Sequence, residues 1–312
     1  RSVDVVCDLV LAPSFPHREL EKEKDVVLEE MKMYEDNPED LIFDRFEEVV
    51  YADHPMGRPI IGFPDTVRSF TREQLLGYVD THYTPNRIVI AVAGNAEHDR
   101  VVNMVSRIFA SSRRRPREHD RTPVDSYEPR AHTEKRPTQQ AHLVVGTRSF
   151  HVYHPQRSVL SVLNTLLGGG MSSRLNQNIR EKYGYCYNIY SFVNMHQDSG
   201  DFGVYMGTDP TKVDRGRKLI FRELQRIVDE PISPRALSQA KNQVKGSVML
   251  GLENMSNRMM RIGRQELYFK RYFTMDQVVE DIDRVTADDV RDVASELFQP
   301  ELFSSIVLLP QE

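Results

Sequence analysis

Two glutamates, Glu23 and Glu30, stand seven residues apart in Pro16 to Tyr34 (PHRELEKEKDVVLEEMKMY), a stretch with apolar residues at helical spacing. Seven residues is two turns of α-helix, so both carboxylates lie on one face. Such a pair can place one oxygen donor on a metal and the other behind it. Charged helices produce the same spacing on a solvated face, and spacing alone leaves that as the default. The histidines His151 and His154 have no glutamate beside them and sit in a Pro-containing loop; two imidazoles alone make a poor zinc site, and they read as surface residues. Cys7 and Cys186 can build neither a disulfide framework nor a Cys-rich zinc site, and Cys186 reads as a half-buried strand cysteine. Gly168, Gly169 and Gly170 are followed by no Gly-Lys-Ser/Thr, so they read as a turn or close approach rather than a phosphate loop.

These residues need elements to hold them. Periodicity predicts helices over Pro16–Tyr34, Pro38–Val50, Thr71–His82 and His98–Ala110, with loop over His54–Asp65 and a strand over Arg87–Ala93. A Pro- and charge-rich linker covers Ser111–Gln140. Strands come next at His142–Gly146, Tyr187–Val193, Asp201–Thr208 and Ser304–Leu309. Helices are predicted at Ser158–Leu167, Ser172–Lys182, Lys212–Asp229, Pro234–Leu252, Met275–Ile282 and Ala287–Leu297, and Met255, Met259, Met260, Ile262 and Leu267 read as helical packing.

The composition sets limits. The chain has 312 residues, enough for two cores, and 41 Lys+Arg against 46 Asp+Glu give −5, too balanced for an overall basic field. The cluster Arg113, Arg114, Arg115 and Arg117 lacks interleaved aromatics and reads as solvated linker, so no nucleic-acid partner is expected. No apolar run approaches the ~20 residues of a membrane span. Residue 1 is Arg and no signal segment comes after it, which leaves the compartment unassigned, cytoplasmic and periplasmic both being open.

The order of elements recurs. Thr71, Leu75, Tyr83 and Pro85 correspond to Thr286, Val290, Phe298 and Pro300, each at an offset of 215 residues (286 minus 71). A helix followed by a β-branched strand is thus repeated in register, which predicts tandem homologous domains. The second copy opens with the strand near His142, so its counterpart would fall about 73 residues before residue 1 (142 minus 215). The first copy is expected to lack its opening strand and helix.

Against that background the string Glu21-Lys-Glu-Lys-Asp-Val-Val-Leu-Glu-Glu30-Met resembles the distal glutamate segment of the M16 zinc peptidases (pitrilysin, insulinase and mitochondrial processing peptidase). The resemblance extends through His54-Pro-Met-Gly57-Arg-Pro-Ile-Ile-Gly62, Ile88 to Gly94, Leu167-Gly-Gly-Gly-Met-Ser-Ser-Arg174-Leu and Ile179-Arg180-Glu-Lys-Tyr-Gly-Tyr-Cys-Tyr187. It implies an α+β fold of two tandem homologous domains, each an antiparallel sheet covered by helices (the LuxS/MPP-like metallohydrolase fold), the first incomplete. The boundaries expected are 1–112 for the first domain, 113–137 for the linker and 138–312 for the second.

The resemblance also implies a chemistry, zinc-dependent endoproteolysis of peptides or unfolded segments. Family members bind Zn²⁺ through two histidines of H-x-x-E-H and a distant glutamate. Glu30 would be that third ligand and Glu23 would stand behind it. Arg180 and Tyr187 match the Arg/Tyr pair that holds the substrate, where a cation and a hydroxyl donor meet a carbonyl or developing oxyanion. The sequence has no H-x-x-E-H; in the family that motif lies roughly 75 residues before the distal glutamate, which here is upstream of residue 1. This chain alone is therefore expected to be inactive and to hold no zinc tightly. The implied partners are a peptide substrate and either an identical chain or another M16 subunit. A non-catalytic homologue serving as partner or scaffold is the alternative.

Overall fold

The computed structural model describes residues 1–110, 114, 121–124 and 126–311. Two compact units divide the chain, each assembled from separated segments. The first comprises Arg1–Met33, Ile61–Thr122 and Gly251–Tyr272; the second comprises Tyr34–Ile60, Pro123–Leu250 and Phe273–Glu312. The boundaries expected from the repeat cut the chain once, at the linker, whereas packing cuts it wherever an apolar face finds its partner.

The second unit is built on a five-stranded sheet of β1 (Ala131–Arg136), β2 (Ala141–Ser149), β3 (Cys186–Met195), β4 (Gly200–Thr208) and β5 (Ser304–Pro310), in the order β1-β5-β2-β4-β3. Pairing is antiparallel except for β1, which runs parallel to β5. β1 falls in the expected linker because AHTEKR carries no apolar alternation, the charged make-up of a protected edge strand.

The central strands are apolar on both sides, and each side has its own cover. Leu143, Val145, Phe202, Val204, Met206 and Val307 pack on one face with the helices Arg157–Gly168, Val213–Asp229 and Ala287–Leu297. Val144, Tyr205, Ile306 and Leu308 meet Leu41, Ile42, Phe46 and Val50 of the helix Pro38–Val50 on the other. Asn37 caps that helix through its side chain, with Pro38 fixing the first turn. Phe46 reaches the sheet because residue 146 is glycine: a Cβ there would lie 2.4 Å from the Phe46 ring. Truncating the buried Phe46 to alanine would cost about 3–5 kcal/mol.

The first unit contains the helices Ser2–Leu11, His17–Glu35 as far as Met33, Pro64–Ser69, Arg72–His82, His98–Phe109 and Met255–Phe269. It has no strand among its described residues. The strand expected over Arg87–Ala93 does not form: Ile88 is extended (φ −111°, ψ 127°), but no described residue pairs with it, and a strand exists only through its neighbours. Residues 88–93 instead line an apolar groove of about 570 Å³ with Val6, Met259, Met260 and Leu267. The methionine group read as helical packing is corrected accordingly; Met255, Met260, Ile262 and Leu267 are exposed and the helix buries no residue.

Two further differences concern the ends of the first unit. Patterning does not mark the helix Ser2–Leu11, whose Val5, Val6 and Leu9 are exposed and whose N-terminus has no side-chain cap. Arg114, expected in solvated linker, donates to the carbonyl oxygens of Val10, Leu11 and Tyr83 and so closes that helix's C-terminus. Arg113, Arg115 and Arg117 lie outside the described residues.

The repeat is visible in geometry. The helices Arg72–His82 and Ala287–Leu297 have the same length and offset, both open on a capping box (Thr71 with Gln74, Thr286 with Asp289), and both lead into a 3₁₀ turn, Pro85–Arg87 and Pro300–Leu302. Val307 is buried at the heart of the sheet; its counterpart Val92 is exposed.

Candidate functional site

On the helix His17–Glu35, Glu19, Glu21 and Glu29 each hold the lysine three residues further on, at 2.7–3.0 Å. Glu23 and Glu30 are exposed and have no hydrogen bond or ion pair with a described residue. The lysines thus neutralise their neighbours and leave the seven-residue pair free. The implied zinc requires more than this. Among the described residues no group of three His, Cys, Asp or Glu side chains converges, so the donors present do not fit a zinc centre by themselves. Glu30 is available as one carboxylate ligand and Glu23 as its neighbour, both in the first unit.

His151 and His154 make no metal pair. The Nδ1 of each accepts a backbone N–H two residues on, from Tyr153 and Gln156, and the His154 ring stacks on Phe150 at 3.8 Å. Burial and the neighbouring His151 lower the pKa of His154.

Arg180 and Tyr187 belong to the second unit, and each sits on a backbone irregularity. The segment expected as the helix Ser172–Lys182 is helical but widens into a π-turn over Asn176–Glu181, marked by Lys182 N–H donating to Gln177 O. Arg180 lies in that turn with its guanidinium part-exposed, 3.8 Å from Glu181. The Gly184 N–H donates to Arg180 O at 2.9 Å, and Gly184 takes φ 61°, the left-handed value that reverses the chain into β3.

At the start of β3 the register slips: Cys186 pairs with Thr208 and Asn188 with Gly207, so Tyr187 is an extra residue, a β-bulge. The consequence is legible in burial. Cys186 and Ile189 both enter the core although they are three residues apart, which a regular strand of period two cannot achieve. Tyr187, displaced by the bulge, is 73% exposed. Both devices recur where a protein must aim a side chain.

The turn that carries Arg180 packs against β3, and Tyr187 stands near the start of that strand. Burial pushes the Cys186 thiol up to about 11, and the charge of Arg180 opposes that rise in part. The thiol stays protonated and unreactive near neutral pH. β3 is the outer strand of the sheet, opposite β1. An edge strand, an exposed phenol and a part-exposed guanidinium at one corner suit an extended peptide: backbone pairing from the strand and two donors for carbonyl oxygens.

Sequence reasoning missed the residues beneath this corner. Glu223 is buried, at 4% exposure, on the helix Val213–Asp229, and it joins Arg174, Asn178 and Arg226. The signal was present: Glu223 stands on the apolar stripe of Gly216, Ile220, Leu224 and Ile227, where a carboxylate must have a partner. A second buried network ties the helix Pro38–Val50 to β4. Tyr51 donates to Asp201 at 3.0 Å and Asn194 donates to its other oxygen at 2.9 Å, while the Arg148 guanidinium lies 4.5 Å from the Tyr51 ring centroid.

Comparison with known proteins adds to this geometry. Residues 69–244 match the family described as Peptidase M16 inactive domain, and residues 1–63 match Insulinase (Peptidase family M16). A Bacillus subtilis relative named as an uncharacterized zinc protease is 36% identical over 310 residues, 98% of this chain and 74% of the relative. A Streptomyces coelicolor relative of the same description is 35% identical over 305 residues, 95% of this chain and 66% of the relative. The crystal structure of a peptidase M16 inactive domain from Pseudomonas fluorescens superposes with a TM-score of 0.91 at 19% identity, covering 100% of this chain and 74% of that one. At that identity the likeness speaks for the fold.

Proposed function

Since the chain belongs to peptidase family M16, we propose that it forms the peptide-holding part of a zinc endopeptidase, with Arg180 and Tyr187 gripping an extended substrate. The observation that carries this reading is the pairing of two costly backbone irregularities, a π-turn at Arg180 and a bulge at Tyr187, at the same corner of the sheet. The peptide adds to the free edge of β3, and the Tyr187 hydroxyl and the Arg180 guanidinium donate to its carbonyl oxygens. Arg180 contributes most where negative charge develops on such an oxygen.

Glu30 belongs to the same proposal as a metal ligand, with Glu23 orienting it. The relatives' names as zinc proteases and the two unpaired carboxylates support that role. The remaining ligands are not in this sequence, so the 312-residue chain binds peptide without cleaving it. Its natural partner is a second copy or another M16 subunit. In repeat terms, 1–112 and 138–312 act as the metal and peptide copies joined by 113–137.

A second reading has an observation of its own. The matched description of residues 69–244 is an inactive domain, which suits a non-catalytic partner subunit as well. The two readings share the peptide corner and differ at Glu30, whose carboxylate a subunit without zinc has no use for.

Peptide binding tests the shared part. In fluorescence anisotropy with a labelled, unstructured 15-residue peptide, Arg180→Ala weakens binding by about tenfold or more, the scale of a charged hydrogen bond. Tyr187→Phe weakens it by about fivefold, the scale of a neutral one. Glu30→Gln leaves it unchanged. Equal affinities for wild type, Arg180→Ala and Tyr187→Phe reject the proposal.

A further inference from the structure

We propose that Glu223 is a positioning residue for Arg180: its buried carboxylate clamps the π-turn and thereby fixes the direction of the guanidinium. The inference rests on the reading of Arg180 as a peptide contact and adds a residue to it.

A carboxylate at 4% exposure on an apolar helix stripe survives only with full compensation. Glu223 receives it from three donors: Asn178 Nδ2 at 2.9 Å, Arg226 Nη1 at 2.9 Å and Arg174 Nε at 3.5 Å. Arg226 holds Glu230 through Nε at 2.8 Å and Nη2 at 2.9 Å, and Arg174 reaches Glu230 at 3.4 Å. Two of the three donors, Arg174 and Asn178, come from the segment that contains the π-turn. Asn178 lies inside the turn, two residues before Arg180.

The turn needs such a clamp. A π-turn carries one residue more than the α-helix would, a rare and unfavoured arrangement. Here it bears a second cost, because Asn176 in the same turn is buried with its Oδ1 unpartnered. Relaxation to regular α-helix would expel one residue and rotate the residues beyond the turn by about 100°, one residue's share of a helical turn. With Asn178 tied to Glu223 that rotation is blocked, and Arg180 keeps its place ahead of the reversal at Gly184 into β3. Glu223 touches no substrate in this scheme; it acts through Asn178.

The test uses the 312-residue chain with Asn178→Ala, which removes the hydrogen bond from the turn to Glu223, and Glu223→Gln, which removes the charge. Amide hydrogen exchange over residues 176–184 accelerates about fivefold in Asn178→Ala and by more than tenfold in Glu223→Gln, while residues 304–309 keep their protection. Peptide affinity falls in Asn178→Ala, and in a double-mutant cycle this loss disappears on an Arg180→Ala background. A general loss of stability would lower affinity in both backgrounds alike. Unchanged exchange over 176–184 in both variants overturns the proposal, as does an affinity loss that persists without Arg180. If Arg180→Ala itself leaves affinity unchanged while exchange still rises, the positioning stands and the peptide-contact reading fails. Asn178→Ala keeps every charge pair, so it reports even if Glu223→Gln does not fold.

Discussion

Residues 71–95 and residues 286–310 share one plan and reach different ends. Each opens on a threonine capping box, runs through an eleven-residue helix and turns through a 3₁₀ segment that starts at proline. Beyond that, 304–310 is β5, flanked by β1 and β2, whereas 88–93 pairs with no described residue and borders an apolar groove. Caps and helical turns are closed by residues three or four positions away, so the local sequence suffices for them. A strand is closed by partners far along the chain, and among the described residues only 304–310 meets such partners.

The sharpest way to break this comparison is to place a charge at the matched positions 307 and 92. Val307→Asp buries an unpaired carboxylate between two apolar layers and should destabilise the second unit by about 4 kcal/mol. Val92→Asp, on exposed backbone, should stay within about 0.5 kcal/mol. Urea unfolding followed by circular dichroism measures both; similar losses would show residues 88–93 to be as well ordered as β5.

A smaller effect is expected from pH, and it arises in the sheet of the second unit. His142 on β2 lies buried with Nδ1 2.9 Å from the Tyr205 hydroxyl, and burial lowers its pKa below the ordinary imidazole value of 6.5, Glu39 opposing in part. The unfolded chain therefore binds the proton first. Stability from this residue is present above pH 6.5 and is lost as pH falls from 6.5 through the folded-state value. Half-buried Glu47 and Asp44, whose carboxyls are pushed up by desolvation, act in the opposite sense. The comparison of wild type with His142→Gln isolates the imidazole: melting temperature should decline less between about pH 7 and pH 5 in the variant, and parallel declines would contradict the assignment.

The smallest effects come from what the copies share. Thr71→Ala and Thr286→Ala should each cost about 1 kcal/mol, the usual worth of an N-cap. Helix-resolved hydrogen exchange would read both, and a loss at only one site would show that the shared plan is not equally formed.

Legibility from sequence obeys the same division between local and distant causes. The helix Pro38–Val50 is legible to the residue, because its cap, its proline and its apolar face are contiguous. The strand pattern of 88–93 is legible too, but a pattern states an aptitude and cannot supply partners. β1 is hidden for the converse reason: AHTEKR has no strand pattern and pairs because β5 is beside it. At the candidate site, Glu30, Glu23, Arg180 and Tyr187 come through the family resemblance, and no spacing rule reveals the π-turn or the bulge on which the last two stand. Glu223 escapes notice although it interrupts an apolar stripe, since stripe reading rewards the residues that fit and passes over the one that does not.

The central claim is tested most directly by residue-resolved amide hydrogen exchange on the intact chain, comparing 89–93 with 305–309. Slow exchange in 305–309 and fast exchange in 89–93 is the predicted result, one segment of a shared plan paired in a sheet and the other without a partner among the described residues. Equal protection of the two segments would contradict it.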